Sequence, residues 1–304
     1  MTNRRFGLER MRAALADVVA EFGLDGGDSE LLYLGNNAVF LLRRAEAVVR
    51  ITRSTTLHER VRKGVRLARW LESVEAPTVR LADLSPQPVQ TGDLLATIWR
   101  YIPDSGGISV EDLGRVLRQF HALDPTAVDL PRWDPVGTAR RRISDSEALT
   151  DEHRRFLLEW CDRLEPEVEA LNESTPPRLI HGDAHVGNML RGPDGEVVLC
   201  DFDSSCVGPS GADLATPATA EIWFQRSGMH ARLAAAYGRD ITSEPDWPVL
   251  RQARELTYIA GGAPLLDSSP GIAEEFAHRI NSWMNRDTSR PWTPWARLSV
   301  SSQP

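Results

Sequence analysis

The sequence predicts an α+β fold in two parts, a small lobe built on an antiparallel sheet and a larger, mainly helical lobe. Three observations carry this reading. Short strand-like runs crowd residues 30–102, apolar residues at helical spacing dominate after residue 108, and the break Pro103-Asp104-Ser105-Gly106-Gly107 lies between them. The expected boundaries are therefore 1–102 for the first lobe, 103–107 for a linker and 108–304 for the second lobe. With 304 residues, 41% apolar and 26% charged, the chain has the composition of a globular protein.

Taken in order, Leu8, Met11, Leu15, Val18, Val19 and Phe22 repeat at three and four and end at Gly23, which predicts a helix. After the turn cluster Asp25 to Ser29, the runs ELLYLG, AVFLLRR and AVVRIT read as three strands. HERVRKGVRLARWLESV follows as one inserted helix, and VRLADL and LLATIWRYI supply two more strand candidates. In the second lobe, Ser109 and Asp112 make a capping-box-like start, followed by the stripe Leu113, Val116, Leu117, Phe120 and Leu123. A second helix begins near Thr150, and later ones cover Met229 to Tyr237, Val249 to Ile259 and Ile272 to Trp283. Trp292 and Trp295 suggest a packed segment before a frayed tail.

Charge and cysteine content narrow the functional classes. The net charge is −8, with 15 Lys and Arg against 12 Asp and Glu in residues 1–100, and 20 against 31 in the remainder. An acidic second lobe argues against nucleic acid as a partner, because phosphates need a basic footprint. It tilts the expectation toward a cationic small molecule. Three cysteines are too few for a disulfide framework, and no run of about 18 apolar residues occurs. A soluble, cytoplasmic protein without a membrane partner is expected.

The densest chemistry lies in RLIHGDAHVGNML, residues 178–190, followed by the turn Gly192-Pro193-Asp194-Gly195 and by EVVLCDFD. A hairpin here would return Asp201 beside Asn188, so Asp183, Asn188 and Asp201 would converge at one of its ends. The interval from Asp183 to Asn188 matches the D-x-x-x-x-N spacing of the protein-kinase catalytic loop, and Asp201-Phe202 matches the start of D-F-G. Phosphoryl transfer needs a carboxylate to orient the attacking hydroxyl and accept its proton, which suits Asp183. It also needs Mg²⁺, a hard cation that keeps several waters and is satisfied by few protein oxygens, here Asn188 and Asp201. His181 is read as holding the loop by hydrogen bonds; His185 lies nearer the proposed transfer site, with a structural role at least as well supported.

LIHGDAHVGNMLRGPDGEVVLCDFDSSCVGPSGADLA closely resembles the aminoglycoside phosphotransferase family, kinase-like enzymes related to choline, homoserine and sugar kinases. The H-G-D-x-H-x-x-N-x-L block is complete, and it is followed by D-F-D and by G-P-x-x-x-D-L-A. The resemblance implies a bilobal protein-kinase-like fold and an enzyme that moves the γ-phosphoryl group of ATP, or GTP, to a hydroxyl of a small molecule. It makes Asp183 the base, Asn188 and Asp201 the Mg²⁺ ligands, and Asp203 and Asp213 supporting residues, Asp213 as a brace for the catalytic loop.

The first lobe matches this pattern less well. LGNNAVF, with Gly35 and Asn37, occupies the place of a nucleotide loop but carries a single glycine. Where a kinase has lysine on its third strand, Arg50 stands instead, able to contact phosphate through its planar fork. The only lysine, Lys63, lies in the inserted helix and is expected to do little. At the register where that helix should offer an acid there is Gly64, so Glu59 is the hypothetical partner of Arg50. Arg100 to Ile102 are expected to meet the adenine. Two alternatives stand beside this reading: a metallophosphoesterase, which the absence of any H-x-H argues against, and a non-catalytic nucleotide-binding regulator, which the intact Asp183, Asn188 and Asp201 set argues against. The acceptor is left open among antibiotics, amino alcohols, homoserine-like compounds and sugars, with Glu221, Asp246 and Glu255 as candidate walls of its pocket.

Overall fold

Residues 7–34, 37–266 and 269–298 are described by the computed structural model, with the main chain alone at 296. The first amphipathic run forms α1, Leu8–Phe22, closed by Gly23 at φ 62° with the Leu24 N–H bonded back to Val19 O. Its apolar face, Met11, Leu15 and Val18, is buried against Phe40, Leu42, Val49, Ile51 and Ile98 of the sheet beside it. That sheet holds β1 (Glu30–Leu34), β2 (Asn37–Leu42), β3 (Ala47–Thr52), β4 (Val89–Thr91) and β5 (Leu94–Arg100), all antiparallel, in the order β1-β2-β3-β5-β4. The inserted helix is α2, His58–Ser73, which buries Val65, Leu67, Ala68 and Leu71.

One strand differs from the sequence expectation. VRLADL is extended but forms no ladder, because its backbone bonds are divided between two neighbours. Val79 N–H donates to Leu199 O, whereas Ala82 N–H donates to Ile98 O and Arg80 O accepts from Arg100 N–H. The fourth strand is Val89–Thr91, a three-residue run right after Pro88 that is too short to show alternation.

Four short strands follow, β6 (Arg178–Ile180), β7 (Met189–Arg191), β8 (Val197–Leu199) and β9 (Cys206–Gly208). β7 and β8 form the expected hairpin, while β6 pairs with β9. The chain divides into two compact units. The first comprises Met1–Ser109, Thr126–Leu130 and Val186–Ser205; the second comprises Val110–Pro125, Pro131–His185 and Cys206–Pro304. Arg191 shows why the hairpin belongs to the first unit. Its N–H donates to Asp104 Oδ1 at 3.0 Å, its Nε to Gly106 O at 3.2 Å, and its carbonyl accepts from Ser105 N–H at 2.8 Å, so the 103–107 stretch is tied to β7.

The second unit is helical: α3 (Val110–Phe120), α4 (Pro135–Ser144), α5 (Asp151–Ser174), α6 (Gly211–Phe224), α7 (Met229–Tyr237), α8 (Trp247–Ala260), α9 (Pro270–Asn285) and the short α10 (Trp295–Leu298). Three of these, α4, α6 and the short α10, have no counterpart in the sequence reading. α4 begins at Asp134, whose carboxylate accepts from Gly137 N–H at 2.6 Å, with Pro135 in the first turn, a start signal that stands in the sequence. α6 is buried on nearly every side from Gly211 to Ala220, so it presents no stripe to read. α3 and α7 approach so closely at Gly114 that a Cβ there would stand 2.9 Å from Leu233 O. Trp292 is buried and stacks on Trp223 at 4.3 Å, which fits the packed segment expected before the tail. No helix among the described residues is long and apolar enough to cross a membrane.

Candidate functional site

In the first unit, charged groups gather at the end of the β7–β8 hairpin. Cys200 N–H donates to Asn188 O at 2.9 Å, which sets Asn188 beside the residue that precedes Asp201. Of the three polar residues expected at this hairpin end, Asn188 and Asp201 lie there, and Asp183 belongs to the second unit. Asp201 adopts φ 65°, a left-handed conformation that is costly for most residues and that Asp tolerates best among side chains with a charge. It begins a tight turn, Phe202–Ser204, that also presents Asp203.

Arg50, on β3, is the cation of this cluster. Its Nη2 lies 3.2 Å from both Asp201 Oδ1 and Asp203 Oδ2. Burial pulls its pKa down, but the charges of Asp203 and then Asp201 outweigh that and hold it above its ordinary value. The expected partner, Glu59, pairs instead with Arg62 one turn along the exposed face of α2. Helical register explains the difference, since Gly64 rather than an acid faces the pocket lined by Asn37, Arg50, Thr52, Trp99 and Phe202. A Cβ at Gly64 would meet nothing within 4 Å. Lys63, expected to be idle, is part of the cluster: its Nζ donates to Asp203 O at 2.8 Å and to Ser205 O at 2.6 Å, pinning the turn to α2.

The remaining first-unit candidates are placed as follows. Asn37 opens β2 and donates from Nδ2 to Asp203 Oδ2 at 3.3 Å, while Gly35 lies outside the described residues. The Arg100 side chain pairs with Glu72 at 3.3 Å, and its N–H is taken by Arg80 O. Tyr101 N–H is taken by Glu46 O, which leaves Ile102 as the member of that segment whose backbone makes no hydrogen bond among the described residues. Cys200 is inert as a nucleophile, because burial, and next the charge of Asp201, push its thiol up to about 12.

In the second unit, the loop after β6 is gripped from below by Asp213 in the first turn of α6. This carboxylate is fully buried. Oδ2 accepts from His181 N–H at 2.7 Å and Oδ1 from Gly182 N–H at 2.8 Å, while His121 Nε2 lies 2.9 Å from Oδ2. Burial raises the pKa of Asp213, but the His121 hydrogen bond and charge, with the help of His181, outweigh it and hold the group below the usual carboxylate range. His121 is fixed in turn by Tyr237 Oη at 2.9 Å from its Nδ1. His181 is itself buried, and its Nδ1 accepts from Asp183 N–H at 3.3 Å. Gly182, at φ 80°, allows the chain to turn so that these N–H groups converge.

The side chain carried by this frame is Asp183, half-exposed, with Arg254 Nη1 at 3.6 Å from Oδ1 and His185 Nε2 at 3.9 Å from Oδ2. Arg254 escaped sequence reasoning, although a signal exists: it falls four residues after Leu250 and four before Tyr258, on the buried face of α8. The three acids expected to wall an acceptor pocket fare differently. Glu255 is a buried structural carboxylate, accepting from the indole N–H groups of Trp223 at 2.7 Å and Trp283 at 2.8 Å, so it is not a pocket wall. Glu221 accepts from His230 N–H at 2.5 Å, and Asp246 precedes α8 without capping it.

Among the described residues, no group of three or more His, Cys, Asp or Glu is arranged to hold a metal. Asn188 and Asp201 suit Mg²⁺ for a different reason. Both offer hard oxygens, Asp201 Oδ2 has no protein partner among the described residues, and Mg²⁺ completes its shell with water and phosphate oxygens.

The family model described as the phosphotransferase enzyme family matches residues 35–253. The chain belongs to this family. This phosphotransferase also resembles solved structures. They include aminoglycoside phosphotransferase APH(3'')-Id from Streptomyces rimosus (20% identity, 81% of this chain and 98% of that one, TM-score 0.63) and the amicoumacin kinase hAmiN in complex with AMP-PNP, Ca²⁺ and Ami (14%, 96% and 100%, 0.68). Choline kinase LicA from Streptococcus pneumoniae is a third (14%, 92% and 100%, 0.67). At such identities the likeness speaks for the fold, which is protein-kinase-like, and family membership makes the chain a small-molecule phosphotransferase acting on a hydroxyl. A search of curated protein sequences found no match.

Proposed function

We propose that this phosphotransferase moves the γ-phosphoryl group of ATP or GTP to a hydroxyl of a small molecule, with Asp183 as base and with Asn188 and Asp201 as the ligands of Mg²⁺. In the transfer, the acceptor oxygen bonds to the γ-phosphorus, the bond from phosphorus to the leaving nucleoside diphosphate breaks, and the hydroxyl proton passes to Asp183. Asn188 and Asp201 would hold Mg²⁺, which would supply positive charge to neutralise the phosphates. The observation that carries the reading is the grip of Asp213 on the His181 and Gly182 N–H groups, which fixes the backbone on which Asp183 stands. Such rigidity is what a general base needs, because transfer rates fall steeply when the reacting groups are misplaced.

Arg50 serves the nucleotide. A guanidinium shared between two partly exposed carboxylates can turn its free N–H groups to phosphate, and the main chain at Ile102 is the best placed of its segment to pair with a base edge. The acceptor is a small hydroxyl compound of the kind that the neighbours named above phosphorylate, an aminoglycoside or an amino alcohol among them. The positive Arg254 lies 3.6 Å from Asp183, so a cationic group of the acceptor would sit away from the reacting hydroxyl. The test is a panel of antibiotics, amino alcohols and sugars incubated with labelled ATP or GTP and Mg²⁺. Metal-dependent transfer to one compound, lowered by about 10² to 10⁴ in a folded Asp183→Ala variant, is the expected result. Undiminished transfer in that variant would remove Asp183 from the mechanism.

A further inference from the structure

A carboxylate standing half-exposed on a loop has two free torsions, and fixing the loop backbone does not aim its oxygens. The structure assigns the aiming to Arg254. It is a positioning residue that acts through Asp183, and the assignment rests on Asp183 being the base.

Arg254 is 8% exposed, and Asp183 is the one carboxylate within ion-pair distance of it among the described residues. A buried cation is expensive, and an apolar residue in its place is often neutral or stabilising for a fold. Its presence here therefore calls for a task beyond packing. The guanidinium is held from two other sides. Nη2 donates to Ala212 O at 3.2 Å, and the guanidinium carbon lies 5.8 Å from the centre of the Tyr258 ring, whose hydroxyl donates to Thr216 O at 3.4 Å.

Ala212 immediately precedes Asp213. The first turn of α6 thus grips the loop main chain through the Asp213 carboxylate and, through the neighbouring carbonyl, the cation that meets the loop's side chain. At 3.6 Å the contact with Asp183 Oδ1 is an ion pair rather than a hydrogen bond, so Arg254 steers the carboxylate by charge without donating an N–H to it. Oδ2, which lies 3.9 Å from half-exposed His185 Nε2, is the oxygen that then meets the acceptor proton. The planar fork of arginine can serve Ala212 O and Asp183 at once; an ammonium is a compact point charge and would do so less well.

The test measures Mg·ATP turnover, with the best acceptor of the panel and with water as acceptor, for Arg254→Met, Arg254→Lys, Asp183→Ala and the Asp183→Ala/Arg254→Met pair, each checked by thermal melting. Arg254→Met should lower kcat about 10- to 100-fold while the KM for ATP stays within about threefold. Arg254→Lys should recover part of the loss, and in the Asp183→Ala background Arg254→Met should cost nothing further, because the residues act as one unit. If Arg254→Met fails to fold, Arg254→Gln, which retains a donor for Ala212 O without the charge, takes its place. A loss of the same factor whether or not Asp183 is present would overturn the positioning role, and so would a raised acceptor KM at unchanged kcat. Undiminished turnover in Asp183→Ala alone would instead remove the base itself, a distinct outcome.

Discussion

Asp213 and Asp201 are both aspartates beside a cationic or imidazole partner, yet their surroundings differ in kind. Asp213 is fully buried and spends its two oxygens on two backbone N–H groups and His121. Asp201 is 43% exposed and shares one guanidinium nitrogen with Asp203, leaving Oδ2 to other partners. The difference teaches how one chemistry serves two tasks. Where a loop is held still, both oxygens are committed inside the protein; where, on the proposed reading, charged ligands arrive, ion pairs are left half-wet and exchangeable.

The largest expected effect follows from the buried member. Asp213→Ala leaves two loop N–H groups and His121 without their acceptor, and should cost about 3–5 kcal/mol of unfolding free energy in a denaturant melt. Its pH dependence has a definite sign. Because the folded-state pKa of Asp213 is depressed, its contribution is fully present above the unfolded value near 4 and is lost as pH falls through the lower folded value. The stability gap between the wild type and Asp213→Asn should therefore be widest at neutral pH and narrow in acid. A gap that widened on acidification would contradict the assignment.

A smaller effect is expected at the exchangeable cluster. Arg50→Ala should raise the KM for ATP about tenfold, roughly 1.4 kcal/mol, while the KM for the acceptor stays nearly constant. Equal changes in both constants would place Arg50 in the fold rather than at the phosphates. Comparable in size is Lys63→Ala, which frees the carbonyls of Asp203 and Ser205 and should cost about 1–2 kcal/mol of stability. Glu59→Ala removes only an exposed pair with Arg62, so melting and ATP kinetics should shift by less than about 0.5 kcal/mol. An effect at Glu59 as large as at Arg50 would revive the pairing that the structure replaces.

The same contrast marks what the sequence made legible. Elements with a local signal announced themselves: α1 through its stripe, β2 and β3 through short apolar runs bounded by turn residues, the hairpin through Gly192 to Gly195. α6, buried on nearly all sides, has no periodicity to read, and VRLADL has strand composition but divides its hydrogen bonds between two neighbours. In the site, the local spacing of Asp183, Asn188 and Asp201 was plain because five residues and one hairpin contain it. The partners were not. Arg50 reaches Asp201 across 151 positions and Asp203 across 153, and Arg254 meets Asp183 across 71, distances over which no local pattern operates.

The central claim is that Asp201 serves binding and Asp183 serves transfer. Calorimetric titration of Mg·ATP into Asp201→Ala and Asp183→Ala, side by side with the wild type, tests it without any knowledge of the acceptor. Asp201→Ala should weaken Mg²⁺-dependent binding about tenfold or more, since it leaves the uncharged Asn188 as the sole protein ligand, while Asp183→Ala should leave the Kd within about threefold. Binding that survives the loss of Asp201 but fails with the loss of Asp183 would contradict the account.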